Sequence, residues 1–382
     1  MIKDKHNYNL FTGLQPIIKW PGGKERELRY ILPNLPRFRR FFEPFVGGGS
    51  VFMSINAEEF YINDFSSELI TLYKNIATTN DIFFRYIELI DKSWSNSTKF
   101  INENKILIST YRNYTRGEIT KDNLKEFIRN FCKEKKNDII EIIDKEFISY
   151  QCILLKELEK NLIRKMTRMN ELEQLKYNLP ESDIYDNIES AIKSAIYMNY
   201  RNMYNNKEIK IHNNSLFSAL FFFIRNYAYS GMFRYNQKGE FNVPYGGIAY
   251  NNKFLSKKLN YYKTSSFLDH FTNTSISNLD FEEFLRTTQP NEEDFIFLDP
   301  PYDSEFSTYD QNEFTKEDQK RLANYLTNEC RAKWMLIIKN TDFIYNLYNK
   351  ENINIKTFDK EYLVSFMNRN DKKVTHLLIT NY

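Results

Sequence analysis

Apolar positions along the chain follow two periodicities, and the change between them divides it. Arg40-Phe41-Phe42-Glu43-Pro44-Phe45 has the pattern of a short buried strand, followed at once by Val46-Gly47-Gly48-Gly49-Ser50 and the apolar helical start Val51-Phe52-Met53. Strand, glycine turn and helix in that order open a doubly wound α/β unit. Glu59-Phe60-Tyr61-Ile62 predicts a second strand ending at Asn63-Asp64, with a helix over Ser67 to Ile76. Far downstream, Asp294-Phe295-Ile296-Phe297-Leu298, Trp334 to Lys339 and Val374 to Thr380 read as further strands. Between these groups the period is helical. Leu124, Phe127, Ile128, Phe131 and Cys132 recur at helix spacing, as do Leu154, Leu155, Leu158, Leu162 and Ile163. Residues 80–200 are therefore expected to be mainly helical, with a break at Leu179-Pro180-Glu181-Ser182. The pattern predicts one α/β domain, residues 1–78 and 272–382, interrupted by an insertion over residues 79–271.

Composition narrows the class. At 42% hydrophobic over 382 residues, the chain has enough apolar material for a folded core. Its longest apolar run, Leu216 to Ile224, is interrupted by Ser218 and falls well short of the roughly 20 residues a bilayer span needs, so no membrane association is expected. The start, Met1-Ile2-Lys3-Asp4-Lys5-His6, has no apolar leader, which points away from secretion. Cys132, Cys152 and Cys330 are too scattered for a disulfide scaffold or a zinc ribbon, and no metal is expected. Lys, Asn, Ile, Phe and Tyr are abundant, the usage AT-rich codons give, so aromatic content alone does not signal base stacking.

Charge becomes informative only by segment. The net +3, from 53 Lys+Arg against 50 Asp+Glu, averages two opposed regions. Residues 201–263 carry ten Lys/Arg against Glu208 and Glu240, a surplus of eight positive charges; residues 280–330 carry fourteen carboxylates against four cations, a surplus of ten negative. The basic segment also holds Tyr227, Tyr229, Phe233, Tyr235 and Tyr245. Cations and flat rings together suit a nucleic-acid groove, and equally a solvated basic surface over core aromatics.

Three constellations carry candidate chemistry. Asp299-Pro300-Pro301-Tyr302 directly follows a strand, at the end where α/β sheets bind ligands. The two prolines lack N–H groups, so the Asp299 carboxylate and Pro300 carbonyl form a rigid acceptor cluster able to take both hydrogens of an exocyclic amine, with Tyr302 stacked on its ring. The bland alternative is a strand ending in a proline-rich turn. The loop from Glu43 through Pro44, Phe45, Gly47 and Gly49 to Ser50 lets a cofactor approach the backbone, but lacks the dinucleotide spacing. Asp64 is placed to accept from ribose hydroxyls or to cap a helix, and Asp280-Phe281 to bind and stack an adenine or simply to begin a helix. Lys19-Trp20-Pro21-Gly22-Gly23-Lys24 offers a ring, a turn and a lysine to close over a cofactor, or is a loop with a surface lysine.

In this order, Lys-Trp-Pro-Gly-Gly-Lys, Glu-Pro-Phe-Val-Gly-Gly-Gly-Ser and Asp-Pro-Pro-Tyr resemble the motifs of the Dam-like DNA adenine-N6 methyltransferases. Tyr229-Ser230-Gly231-Met232-Phe233-Arg234-Tyr235-Asn236, continuing to Gly239-Glu240-Phe241-Asn242-Val243-Pro244-Tyr245-Gly246, is similar to that family's DNA-contacting hairpin. The resemblance covers residues 17–75 and 215–382. It implies a Rossmann-like methyltransferase domain with a mixed, mostly parallel sheet, interrupted by a mainly helical, hairpin-containing DNA-recognition domain. It also implies that Trp20, Lys24, Asp64 and Asp299 line an S-adenosylmethionine site with the loop from Glu43 to Ser50, and that Asp299 to Tyr302 hold the target adenine. The implied DNA-binding set is Tyr229, Ser230, Met232, Arg234, Asn236 and Pro244, with Tyr229 prying or filling the base stack. Arg234 is suited to the bidentate guanine contact that is the commonest specific readout.

Two departures from the family pattern stand out. Ser230 replaces the usual Asn, and a hydroxyl cannot make an amide's paired contacts, which argues against a GATC site. His376 replaces an acid in the last strand and is read as structural. The expectation is methyl transfer from S-adenosylmethionine to adenine N6 in double-stranded DNA. Cytosine-N4 or RNA methylation, and an inactive DNA-binding homologue, are the alternatives; Asp rather than Ser at 299 favours adenine. The implied setting is cytoplasmic, at the nucleoid, with a cognate restriction endonuclease as a separate partner.

Overall fold

The computed structural model describes residues 11–175, 178–301, 314–361 and 373–382. The chain forms two compact units, one of Met1–Ala77 with Thr264–Tyr382 and one of Thr78–Lys263.

The first unit is built on a seven-stranded sheet: β1 (Arg40–Glu43), β2 (Glu59–Asn63), β3 (Thr274–Ser277), β4 (Phe295–Leu298), β5 (Lys333–Lys339), β6 (Asn354–Glu361) and β7 (Lys373–Thr380). Their order across the sheet is β3-β2-β1-β4-β5-β7-β6. The first five are mutually parallel, and β7 enters antiparallel between β5 and β6. This is the mixed, mostly parallel, Rossmann-like architecture that the motifs implied. The central strands are nearly all apolar because both faces are covered: every residue of β4 is buried, as is Trp334 to Ile338 of β5.

Alternation along β1 sends Phe41 and Phe42 to opposite faces. Phe42 joins Phe284, Ile296, Leu298, Trp334, Leu336 and Tyr348 in one core layer. Phe41 meets Phe295 and Phe60 on the other, at 6.0 and 6.1 Å between ring centroids.

The glycine turn differs from its expectation. Instead of an α-helix from Val51, the chain makes a single 3-10 turn, Phe52–Ser54. The reason is that the Phe52 peptide is claimed by tertiary partners: the Glu43 carboxylate accepts its N–H at 3.0 Å, and His270 Nε2 lies 2.9 Å from its carbonyl oxygen.

In the second unit, residues 81–227 are mainly helical. Helix Gln151–Leu175 packs extensively on helix Glu181–Tyr204, and Pro180 caps the latter at the expected break. The apolar run from Leu216 lies in helix Asn214–Tyr227, buried on all sides from Leu216 to Tyr227, so it is core rather than membrane material. No helix among the described residues is long and apolar enough to cross a membrane.

Candidate active site

Because β1 lies between β2 and β4 and all three run the same way, Glu43, Asn63 and Leu298 end along one edge of the sheet. The strand order reverses between β1 and β4, the topological switch point at whose carboxyl ends α/β sheets take ligands.

The loop after β1 is held from several directions. Asp64 Oδ2 accepts the Gly47 N–H at 3.0 Å, while its Oδ1 accepts the Ser66 N–H at 2.9 Å. Asp64 thus organises the glycine loop and starts the next helix. Tyr73 OH donates to the Gly47 carbonyl at 3.1 Å. A Cβ on Gly47 would fall 2.8 Å from the Trp20 ring, and one on Gly48 would clash with the Ile18 carbonyl. The Trp20 ring against Gly47 and the Ile18 backbone against Gly48 are what require glycine at these two positions. Glu43 is buried and tied to Phe52, with Ser50 also buried. Burial holds the Glu43 carboxyl well above the ordinary range, and the charges of Asp299 and Asp64 push the same way. Burial also raises Asp64, to about 6.

Lys24 is 2% exposed and donates to Asp299 Oδ2 and, at 2.8 Å, to the Gly22 carbonyl. The surface lysine of the bland reading is therefore a buried cation paired with the acid that follows β4. Pro300 is buried and Pro301 exposed, its carbonyl accepting from Gln319 Nε2 at 3.0 Å. Tyr302 lies outside the described residues.

Phe45, Phe281 and Phe314 form an aromatic cluster with centroids 5.5–5.6 Å apart. Pro44 contributes its carbonyl as an acceptor for Asn63 Nδ2 at 3.1 Å. Asp280 caps the helix that starts at Phe281, accepting from Glu282 N at 3.0 Å, and also pairs with Arg321 at 2.7 Å.

Three residues of the site escaped the sequence reading. Asn63 stitches the loops together, donating to Pro44 O and Leu279 O and accepting from Leu279 N at 2.8 Å. Gln319 is fully buried under Pro301, and His270 sits between Phe52 and Phe60, 4.6 Å from each ring. Only Asn63, at the end of a strand beside an acid, left a positional hint. His376 is fully buried on β7, opposite Lys339 and Phe358, in a structural setting.

In the second unit, Tyr229 to Gly246 turns back on itself. Its arms pair at two isolated antiparallel bridges, Ala228 with Tyr245 and Tyr235 with Phe241, flanked by backbone hydrogen bonds from Tyr229 N to Pro244 O, Gly246 N to Tyr227 O, Asn242 N to Arg234 O and Asn236 N to Glu240 O. Phe233, Phe241, Val243 and Tyr245 are buried, while Arg234 and Pro244 face outward and Tyr229 is half exposed at the base of the hairpin, its N–H donating to the Pro244 carbonyl. Ser230 adopts φ +52, the left-handed region that Asn tolerates better than Ser. Arg234 Nε donates to Asn242 Oδ1 at 2.8 Å across the turn. Asn236 spends its side chain on the tip, accepting from Lys238 N and Glu240 N and donating to Glu240. Several cations of the basic segment are structural: Arg225 is buried with its guanidinium 4.4 Å from the Phe233 ring, and Lys253 donates to the Asn226 carbonyl.

Comparison with known proteins agrees with this geometry. A type II methyltransferase of Lactococcus lactis subsp. cremoris is 23% identical over 97% of this chain and 96% of its own length. One from Methanocaldococcus jannaschii is 25% identical over 97% of the chain and 99% of its length. A DNA adenine methylase of Vibrio cholerae is 22% identical over 88% of the chain and 86% of its length. The family model for D12 class N6 adenine-specific DNA methyltransferase matches residues 20–176 and 136–361. Fold, strand order and family match converge: the chain belongs to the D12 class N6 adenine-specific DNA methyltransferases.

Proposed function

We propose that this methyltransferase holds S-adenosylmethionine at the β1–β4 switch point and receives there an adenine extruded from double-stranded DNA. The observation that carries this reading is the Lys24–Asp299 pair, which ties the segment ahead of the glycine loop to the acid at the end of β4. The residues present suit the cofactor. It carries no phosphate, and Lys24 is committed to Asp299 and Gly22 rather than poised for a phosphate. Asp64 offers a carboxylate to ribose hydroxyls, the half-buried Phe45 an aromatic ring to the cofactor's base, and Trp20 a flank to the loop. When bound, the cofactor supplies an electrophilic methyl group on sulfur.

Extrusion of the base costs a few kcal/mol, offset by contacts in the site. Asp299 and the Pro300 carbonyl then accept the two amine hydrogens, which turns the nitrogen lone pair toward the methyl. With the cofactor bound, its methyl would pass from sulfur to the adenine nitrogen, and the Asp299 carboxylate would take the proton that the amine sheds. Neither a covalent enzyme intermediate nor a cysteine is required. In this reading Tyr302 stacks on the target base, and the hairpin from Tyr229 reads the duplex. A cytoplasmic setting at the nucleoid belongs with it. A restriction endonuclease that cleaves the same site is the partner suggested by the relatives named type II methyltransferases.

The test is transfer of tritiated methyl to DNA followed by digestion to nucleosides. Asp299→Ala should abolish N6-methyladenine while leaving DNA binding within about twofold; retained turnover would sink the assignment of Asp299.

A further inference from the structure

Helix Glu181–Tyr204 carries a row of polar side chains at every fourth position, Glu189, Lys193, Tyr197, Arg201 and, at its C-cap, Asn205. Residues four apart lie on one face, so this is a single ridge. Its whole length is laid against the return arm of the hairpin and the turn after it. Asn205 brackets Phe241, donating to its carbonyl at 3.0 Å and accepting its N–H at 2.8 Å. Tyr197 and Arg201 both donate to the Val243 carbonyl, at 3.0 and 3.1 Å. Lys193 donates to the Asn251 carbonyl at 2.7 Å, and Glu189 accepts from Asn251 Nδ2 at 3.3 Å. Tyr245, on the arm itself, closes the set through Asn251 Oδ1 at 3.1 Å.

We infer that this ridge is the register template of the DNA-reading hairpin, and that Asn205, Arg201 and Tyr197 are positioning residues for site recognition. The inference rests on the reading of that hairpin as the DNA contact. Side-chain period is two along an extended arm, so a slip of one residue would bury Asn242 and Pro244 and expose Val243 and Tyr245. Backbone pairing between the arms falls in two short stretches, Tyr227 and Tyr229 with Gly246 and Pro244, and Arg234 and Asn236 with Asn242 and Glu240, so it is a weaker guard against such a slip than a continuous ladder. Stability alone does not call for the ridge, because buried ion pairs such as Glu189–Lys193, 3% and 0% exposed, are often no better than apolar packing. What hydrogen bonds to specific carbonyls add is direction: they accept one register and penalise the others with unpaired groups. The correct register is the one that lets Asn242 hold Nε of the exposed Arg234.

The experiment compares Asn205→Ala, Tyr197→Phe and Arg234→Ala in the full chain, after the methylated motif has been read by sequencing modified DNA. Each variant is assayed on a duplex with that motif and on duplexes with one base changed. Asn205→Ala should lower discrimination between them about tenfold and raise KM for DNA, with kcat at saturating DNA and S-adenosylmethionine affinity little changed. Tyr197→Phe keeps the ring and removes only the hydroxyl, so it folds even where Asn205→Ala does not, and should show a smaller loss in the same direction. A purely stabilising role would reduce turnover on all duplexes alike and leave the ratio unmoved, which would overturn the inference. Loss of discrimination in Arg234→Ala with none in the two ridge variants would reject the template while keeping the hairpin reading; no loss of either discrimination or DNA affinity in Arg234→Ala would reject the hairpin reading itself.

Discussion

Asp64 accepts the backbone N–H of Gly47 at 3.0 Å, so the acid at the end of β2 fixes the loop at the end of β1. Burial raises this carboxyl to about 6. In the free protein its contribution to stability is present below the unfolded value near 3.9 and is lost as pH rises through 6. Cofactor binding has the opposite sign, because ribose hydroxyls donate best to the ionised form. S-adenosylmethionine affinity measured by calorimetry should therefore rise between pH 5 and pH 7, with a midpoint near 6. Asp64→Asn should weaken binding by about tenfold or more and flatten that profile; an unchanged profile would place the titrating group elsewhere.

The Lys24–Asp299 pair predicts a second result. Removing one member of a buried ion pair leaves the other uncompensated. Lys24→Met should lower the methyl-transfer rate by about a hundredfold, on the order of 3 kcal/mol, with DNA affinity in gel-shift assays unaltered. Lys24→Arg should not restore activity, since the wider guanidinium cannot reach both Asp299 and the Gly22 carbonyl in that buried space.

His270 bears on acid stability. It is buried against Phe52 and Phe60, and burial lowers its pKa to about 4. A depressed histidine stabilises the fold above its unfolded value near 6.5, and that contribution fades as pH falls toward 4. The loss is roughly 3 kcal/mol, visible as a falling melting temperature between pH 6.5 and 4.5. His270→Gln keeps a donor for the Phe52 carbonyl but does not titrate, so its melting curve should depend less on pH across that window.

These residues mark where sequence pattern was informative and where it was not. β1, β2, β4, β5 and β7 were legible because they are apolar or alternate and are bounded by turn residues. β3, Thr-Ser-Ile-Ser, and β6, Asn-Ile-Lys-Thr-Phe-Asp-Lys-Glu, are the two edges of the sheet, where one side of each strand lacks a covering neighbour and polar residues suffice. The motif residues Asp64, Asp299 and Lys24 were legible by their order along the chain. Asn63, Gln319 and His270 were not, because an isolated polar residue gains its role only from partners brought close by folding: Leu279 for Asn63, Pro301 for Gln319, Phe52 for His270. The helical start at Val51 failed for the same reason, since Glu43 and His270 take the Phe52 peptide.

Charge at the hairpin yields the last prediction. The surplus of eight positive charges over residues 201–263 overstates what is available to phosphates, because Arg225 is buried, Lys253 is tied to Asn226 and Lys263 pairs with Glu88 at 3.2 Å. Lys257 is exposed, whereas Lys258 packs over the Phe222 ring at 5.6 Å. Lys257→Ala should therefore weaken binding to all duplexes alike and reduce the slope of log affinity against log salt by about 1. Arg234→Ala should instead relax preference at a single base position by roughly 1–3 kcal/mol, leaving the salt slope nearly unchanged. Titrations of both variants against matched and mismatched duplexes at two salt concentrations separate the two behaviours. An equal loss on every sequence for Arg234→Ala, with a reduced salt slope, would show that it contacts phosphate rather than a base edge.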